Sequence, residues 1–191
     1  SQVKRTPMAE IPEHAPEDDR HHIKLEDRVV LVVEDDVRFT KIMIDKLHDF
    51  GLKAVVAGTY VEIFDCIENF SPIAITLDVN MPESNGWKVL RLLKDDLKYR
   101  HIPVHLISGE DNTALALKYG AKSFHLKPLS NRSLNELITK IISFNEKKSR
   151  RVLMLGDYQK DASDFSSLFA ETKVSFETVP NHKTALSRLK D

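Results

Sequence analysis

Five polar side chains that could take part in chemistry follow directly after short apolar runs. They are Glu34, Asp35, Asp78, Ser108 and Lys127. The runs before them cover residues 29–33, 73–77, 104–107 and 124–126. Short apolar runs of this kind are typical of buried strands in a parallel sheet that is covered on both faces. Because the carboxyl ends of parallel strands meet at one edge of the sheet, we expect the five side chains to gather in one crevice.

Three carboxylates in one crevice require a cation. Two carboxylates about 4 Å apart repel each other by roughly 4 kcal/mol at an effective dielectric constant near 20, so Glu34, Asp35 and Asp78 would not all stay ionised without one. All the candidate ligand atoms are oxygens, which selects a hard divalent ion and favours Mg²⁺ over Zn²⁺. The sequence therefore predicts a magnesium site formed by these three residues.

The remaining groups fit phosphoryl chemistry. Lys127 supplies a mobile positive charge for a phosphate, and the Ser108 hydroxyl is able to donate a hydrogen bond to it. A carboxylate is also a nucleophile that accepts a phosphoryl group as an aspartyl phosphate. Asp78 is the best candidate for the phosphoacceptor, because it stands alone after its strand. Glu34 and Asp35 are adjacent and better suited to hold the metal.

Four motifs at these positions resemble the receiver domain of two-component response regulators. They are Val-Val-Glu-Asp-Asp at 32–36, Leu-Asp-Val-Asn-Met-Pro at 77–82 followed by Gly86, Ile-Ser-Gly at 107–109 and Lys-Pro at 127–128. The resemblance covers residues 28 to about 146, with the motifs in the family's order and spacing. It implies a flavodoxin-like α/β fold, a doubly wound five-stranded parallel sheet with the strand order 2-1-3-4-5.

The resemblance also implies how the site works. Asp78 would take a phosphoryl group from the phosphohistidine of a histidine kinase or a histidine phosphotransfer domain. Glu34 and Asp35 would bind Mg²⁺ together with Asp78, and the backbone carbonyl of Asn80 would complete the coordination. Lys127 would pair with the phosphate, usually just before a cis proline. A receiver of this kind catalyses its own phosphorylation and dephosphorylation.

Four residues are expected to govern the response and its lifetime. By resemblance, Ser108 and Phe124 match the hydroxyl and aromatic positions that move together on activation. Asn80 and Glu110 lie two residues beyond Asp78 and Ser108, where polar groups would orient the water that hydrolyses the phosphate. We therefore predict fast loss of the phosphate.

Other interpretations of the same residues have to be weighed. The acidic residues at 34–36 could complement the dipole of the following helix, Ser108 could cap a helix, and Phe124 could be ordinary core packing. The whole domain could be a receiver-like interaction module that acts without phosphorylation. A metal-dependent phosphatase with an Asp nucleophile would need a second Asp shortly after Asp78, and Asn80 occupies that position.

The rest of the chain alternates strand and helix up to about residue 146. Helices are predicted at about 37–50, where Gly51 would end the first, at 60–69, from Gly86 to about 97, before Gly120, and after a Ser130 cap. A further strand is predicted at 52–57. The histidines show no metal-ligand spacing, so we expect them on the surface or on strand faces.

The pattern predicts four segments. Residues 1–27 contain three prolines and no apolar periodicity and indicate a flexible linker, residues 28–146 form the receiver, and residues 147–150 form a hinge. Residues 151–191 resemble the N-terminal half of a second, degenerate receiver, in which Gly156 replaces the first acid and only Asp157 remains. About 40 residues lie near the size at which a core alone is insufficient, so this half-domain should lean on the final helix of the first receiver, pair with another copy of the chain as a possible homodimer, or be stable only within the parent protein.

Composition restricts the functional classes. A formal net charge of −1 gives no electrostatic footprint for nucleic acid, and a single cysteine excludes an internal disulfide framework. No apolar stretch approaches the ~20 residues of a membrane helix, so we expect no membrane contact and a cytoplasmic location. The chain starts at Ser1 without Met and carries no kinase core, so we expect a fragment, from the C-terminal region of a hybrid sensor histidine kinase.

Overall fold

The computed structural model describes residues 17–81, 85–146, 150–155 and 174–188. The chain divides into two compact units, residues 1–141 and 142–191, and each is described by itself. Among the described residues, no helix has both the length and the apolar character needed to cross a membrane.

The first unit is built on a five-stranded parallel sheet. The strands are β1 (Val29–Val33), β2 (Lys53–Ala57), β3 (Ala74–Asp78), β4 (Val104–Ser108) and β5 (Ser123–Leu126). Their order is β2-β1-β3-β4-β5, and all four neighbouring pairs are parallel. This order confirms the predicted flavodoxin-like fold. It places the carboxyl ends of β1 and β3 next to each other, with β4 on the far side of β3.

Five helices follow the five strands. They are α1 (Val37–Asp49), α2 (Tyr60–Phe70), α3 (Gly86–Asp95), α4 (Thr113–Lys118) and α5 (Asn131–Glu146). Polar side chains cap the starts of α1 and α2: Asp36 accepts from the N–H groups of Arg38 and Phe39, and Thr59 forms a capping box with Glu62. Gly51 follows α1 with a φ of 68°, which is the left-handed conformation that favours glycine after a helix.

The core of this unit lies on both faces of the sheet. Every residue of β1, β3 and β4 is buried, as expected for strands with helices packed above and below. The helix predicted after Ser130 is present as α5, and its buried apolar residues have helical spacing. They are Leu134, Leu137, Ile138 and Ile141.

Part of the predicted linker contacts the receiver unit. Within residues 17–27, Asp19 is buried and Ile23 packs against the apolar core. The Asp19 backbone N–H donates to the carbonyl of Ala54 in β2, whose outer side is an edge of the sheet. The segment boundaries themselves stay a prediction, and residues 1–16 lie outside the described residues.

The second unit contains a parallel strand pair and a helix. Strand β6 (Arg150–Leu155) pairs with β7 (Val174–Val179), and helix α6 (His182–Arg188) follows with Asn181 accepting from the Thr184 N–H. Gly156 and Asp157 lie outside the described residues, and identity with half a receiver stays a prediction.

Candidate functional site

The ends of β1 and β3 bring three carboxylates together. Glu34 follows β1, Asp78 is the last residue of β3, and one oxygen each from Glu34, Asp35 and Asp78 lies within 4.8 Å of the others. Glu34 and Asp78 are buried, whereas Asp35 is exposed. The juxtaposition predicted from the strand ends is therefore present, and the exposed Asp35 gives the cluster an open side toward solvent.

Lys127 joins the cluster from the loop after β5. Its Nζ donates to Glu34 Oε2 at 2.8 Å and to Asp78 Oδ2 at 2.6 Å. The Lys127 backbone N–H donates to the Ser108 carbonyl at 2.7 Å, so the residue continues the alignment of β5 along β4. The Lys127–Pro128 peptide bond is cis. One ammonium group thus bridges two buried carboxylates that belong to different strands.

A single ammonium group does not fully offset the carboxylates it contacts. Burial, the largest cause, and the nearby Asp78 carboxylate together raise the pKa of Glu34 to about 7, although the hydrogen bond from Lys127 acts in the opposite direction. Burial opposes the charge of Lys127, yet its bonds to Asp78 and Glu34 leave its pKa raised. Three carboxylates and one ammonium carry an excess of negative charge that suits a divalent cation.

The loop after β3 fixes the backbone of Asp78. The Asn80 N–H donates to Asp78 Oδ1 at 2.9 Å, and the Gly86 N–H donates to the Val79 carbonyl at 3.3 Å. A Cβ on Gly86 would collide with the Asp78 carbonyl oxygen and would lie 2.7 Å from Val79 Cα. Only glycine fits this close approach of α3 to the end of β3. Asn80 is itself exposed, at the rim of the carboxylate cluster.

The predicted switch residues lie on neighbouring strands. Ser108 is fully buried at the end of β4, and its Oγ accepts from the Glu110 N–H at 3.1 Å. Phe124 on β5 pairs in register with Leu106 and is partly buried against the core. Glu110 is exposed. The positions agree with a switch, but the movement of Ser108 and Phe124 stays a prediction.

Reasoning from the sequence missed one contribution to the site and understated another. The Phe39 ring lies with its centroid 4.6 Å from Lys127 Nζ, a cation–π contact that no local motif predicted. Asp36, one of the acidic residues that could complement the dipole of the following helix, caps α1 and donates its backbone N–H to Glu34 Oε1 at 3.2 Å. The alternative interpretation of residues 34–36, that they stabilise the start of the following helix, therefore holds for Asp36. The Glu34 carboxylate instead accepts a hydrogen bond from Lys127. The cap was detectable from an Asp placed directly before a helix.

Comparison with known proteins agrees with this geometry. A family model described as the response regulator receiver domain matches residues 30–139. The protein-glutamate methylesterase/protein-glutamine glutaminase of Pyrococcus horikoshii is 35% identical over 125 residues, which is 59% of this chain and 33% of that protein. The chemotaxis protein CheY1 of Helicobacter pylori is 27% identical over 61% of this chain and 98% of its own length.

Solved structures show the same fold. The signal receiver domain of a signal transduction histidine kinase from Syntrophus aciditrophicus superimposes with a TM-score of 0.57 and 25% identity, covering 63% of this chain and 93% of that domain. The chain spans about a third of the length of the methylesterase relatives, at 33% of the Pyrococcus horikoshii protein. The similarity therefore concerns one domain of those proteins.

Proposed function

The chain belongs to the response regulator receiver family of two-component signalling, and from this premise we propose that Asp78 accepts a phosphoryl group from a phosphohistidine. The donor would be a histidine kinase or a histidine phosphotransfer domain. One observation carries the proposal: the Asp78 carboxylate lies at a strand end beside Lys127, Glu34 and Asp35, in an arrangement open to solvent on the Asp35 side. That geometry supplies a nucleophile, a positive charge for the phosphate and a set of metal ligands.

The donor set fits Mg²⁺. Glu34, Asp35 and Asp78 would hold it through carboxylate oxygens, with the Asn80 carbonyl as a further ligand. The raised pKa of Glu34, caused by burial and by Asp78, is the property of a carboxylate that a cation would stabilise in its charged form. When bound, Mg²⁺ would reduce the repulsion between Asp78 and an incoming phosphoryl group.

The chain's own groups would carry the transfer. One Asp78 oxygen attacks phosphorus, an O–P bond forms, and the P–N bond to the donor imidazole breaks with the electron pair leaving on nitrogen. The Lys127 ammonium group, which donates to both Glu34 and Asp78, is close enough to donate to the oxygens of the new phosphate. The Ser108 hydroxyl is the further donor, and its movement would let the Phe124 ring turn inward. This is how phosphorylation would alter a partner surface.

The exposed rim would set the lifetime of the phosphate. Asn80 and Glu110 are both exposed beside the site, so water reaches the region between them. We expect them to orient that water and to favour fast hydrolysis.

We also propose, as expected from the sequence, that the parent protein is a hybrid sensor histidine kinase and that the chain lies in the cytoplasm. The relatives include one that the chain matches over 98% of its length and another that it matches over 33%. Receivers of this family therefore occur both alone and within longer proteins.

Phosphorylation with a small donor tests the proposal. The chain is incubated with acetyl phosphate and Mg²⁺, and intact mass spectrometry reports the added phosphoryl group. Asp78→Asn keeps the side-chain shape and removes the nucleophile, so we expect no phosphorylation of that variant. Asp45→Asn, on the exposed face of α1, is the matched control and should be phosphorylated normally. Equal phosphorylation of the Asp78→Asn variant and the control would show that Asp78 is not the acceptor.

A further inference from the structure

The outer side of β2 is an edge of the sheet, and three residues that precede β1 cover it. Edge strands present unpaired N–H and C=O groups that serve as a template for another strand. In β2 the groups that point outward belong to Ala54 and Val56, because the alternate residues bond to β1. These four backbone groups would be available for strand addition if nothing covered them.

Asp18, Asp19 and Arg20 satisfy all four groups. The Asp19 N–H donates to the Ala54 carbonyl at 3.0 Å, and Asp19 Oδ2 accepts from the Ala54 N–H at 2.8 Å. Asp18 Oδ2 accepts from the Val56 N–H at 2.8 Å, and Arg20 Nη2 donates to the Val56 carbonyl at 2.8 Å. Three of the four bonds use side chains, so the cover is not an added strand. It depends on the identity of these three residues.

The cover is held by charge pairs at low exposure. The side chains of Asp18 and Arg20 are 1% and 8% exposed and form a two-point ion pair, with Arg20 Nε 2.8 Å from Oδ1 and Nη2 2.7 Å from Oδ2. His48 Nε2 lies 2.7 Å from Asp19 Oδ2, and Lys53 Nζ lies 3.0 Å from Asp19 Oδ1. Burial tends to raise the pKa of Asp19, but the Ala54 N–H, His48 and Lys53 outweigh it and leave the pKa lowered. Removal of either carboxylate would therefore release several contacts together.

The uncovered edge is complementary to itself. If two copies of β2 met about a twofold axis at Val55, Ala54 of each copy would face Val56 of the other, and each pair would exchange two N–H···O bonds as in an antiparallel ladder. The four groups used in each copy are those that Asp18, Asp19 and Arg20 now satisfy. The strand Lys-Ala-Val-Val-Ala has two β-branched residues and no proline. Its one charge, Lys53, lies at the start of the strand and in this register would face Ala57 of the other copy, so the two lysines would not oppose each other directly.

We propose that Asp18, Asp19 and Arg20 form an edge cap that keeps the receiver from associating through β2, and that the partner of the uncapped edge is the β2 edge of a second copy of the chain. The cap and the second copy compete for the same backbone groups, so only one of them occupies the edge at a time. Loss of the cap therefore converts an edge of the sheet into an interface between receivers.

The test compares the full chain with its Asp18→Ala/Asp19→Ala variant by sedimentation velocity, from about 10 μM to about 1 mM, the range in which weak interfaces associate. Asp27→Ala is the matched control, because Asp27 lies in the same segment, is only partly buried, and accepts only from the Lys24 N–H among the described bonds, at 2.8 Å. We expect the double variant to dimerise at least about tenfold more tightly than the wild type and the control.

Hydrogen exchange locates the interface. In the dilute variant the Ala54 and Val56 amides should lose protection, and they should regain it at the concentrations where the dimer forms. A variant that sediments as the wild type does over the whole range would overturn the proposal, as would a dimer in which these two amides stay unprotected. If the double variant fails to fold, Asp18→Ala alone uncovers the Val56 amide and removes the ion pair that holds Arg20. It is judged at that amide alone, and a Val56 protection that does not rise with concentration would overturn the proposal.

Discussion

His105 should make the stability of the receiver unit sensitive to acid. The residue is 1% exposed on β4, on the sheet face opposite Leu106, and its Nδ1 lies 2.7 Å from Ser123 Oγ. Its Nε2 is buried and has no hydrogen-bond partner within the described part of the chain. Burial lowers the pKa of His105 to about 3, and the positive charges of His125 and Lys122 act in the same direction. The native state therefore holds a neutral imidazole that the unfolded chain would protonate.

The sign and size of the effect are set by that difference. Because the folded pKa of His105 lies below its ordinary value of 6.5, its contribution is fully present above about pH 6.5 and is lost as the pH falls toward about 3. The gap between these two values corresponds to roughly 5 kcal/mol of stability at most. At pH 5 the loss should already be about 2 kcal/mol.

Urea unfolding measures this contribution. The wild type and His105→Leu are compared at several pH values between about 7.5 and about 4. Leucine has a similar volume and no titratable group, and Ser123 keeps a partner because His125 Nε2 lies 2.8 Å from its Oγ. The free energy of unfolding of the variant should fall about 2 kcal/mol less than that of the wild type between pH 7.5 and 5. His101→Leu, at an exposed position, is the control and should follow the wild type. Parallel curves for the wild type and His105→Leu would refute the reasoning.

Four further predictions concern the site. Gly86→Ala should lower stability by about 1–3 kcal/mol and slow phosphorylation, because a Cβ there collides with the backbone of Asp78; a urea midpoint equal to that of the wild type would contradict it. Mg²⁺ affinity measured by calorimetry should be about tenfold weaker at pH 6 than at pH 8, because Glu34, with a pKa of about 7, must lose its proton to bind. Glu34→Gln should bind more weakly and flatten this profile, and an unchanged profile would exclude Glu34 as the titrating ligand. Ser108→Ala should still be phosphorylated by acetyl phosphate but should show smaller amide shifts on phosphorylation, whereas shifts equal to those of the wild type would argue against the coupling to Phe124. Replacing Asn80 and Glu110 together by leucine should prolong the phosphorylated state, and a decay rate like that of the wild type would remove both residues from the hydrolysis step.

The local sequence pattern was sufficient to predict the sheet and the composition of the site. Each apolar run is short and ends in a polar residue, and parallel strands place such residues at one edge, so the proximity of Glu34, Asp78 and Lys127 was predictable from the order of the residues. Helix starts were predictable as well, because capping is a local hydrogen bond between a side chain and the next turn, as at Thr59.

The partners of buried polar groups were decided by the tertiary structure alone. Asp18 and Asp19 lie in a segment whose composition indicates a linker, yet they bond to backbone groups of β2 more than thirty residues away, such as the Ala54 N–H, 35 positions along the chain. The Phe39 ring meets Lys127 only because β1 and β5 end at the same edge of one sheet. His105 was expected on the surface or on a strand face, and its burial against Ser123 depends on the β4–β5 pairing. Sequence periodicity reports which residues avoid water, but the partner of a polar group depends on which distant strands the fold makes neighbours.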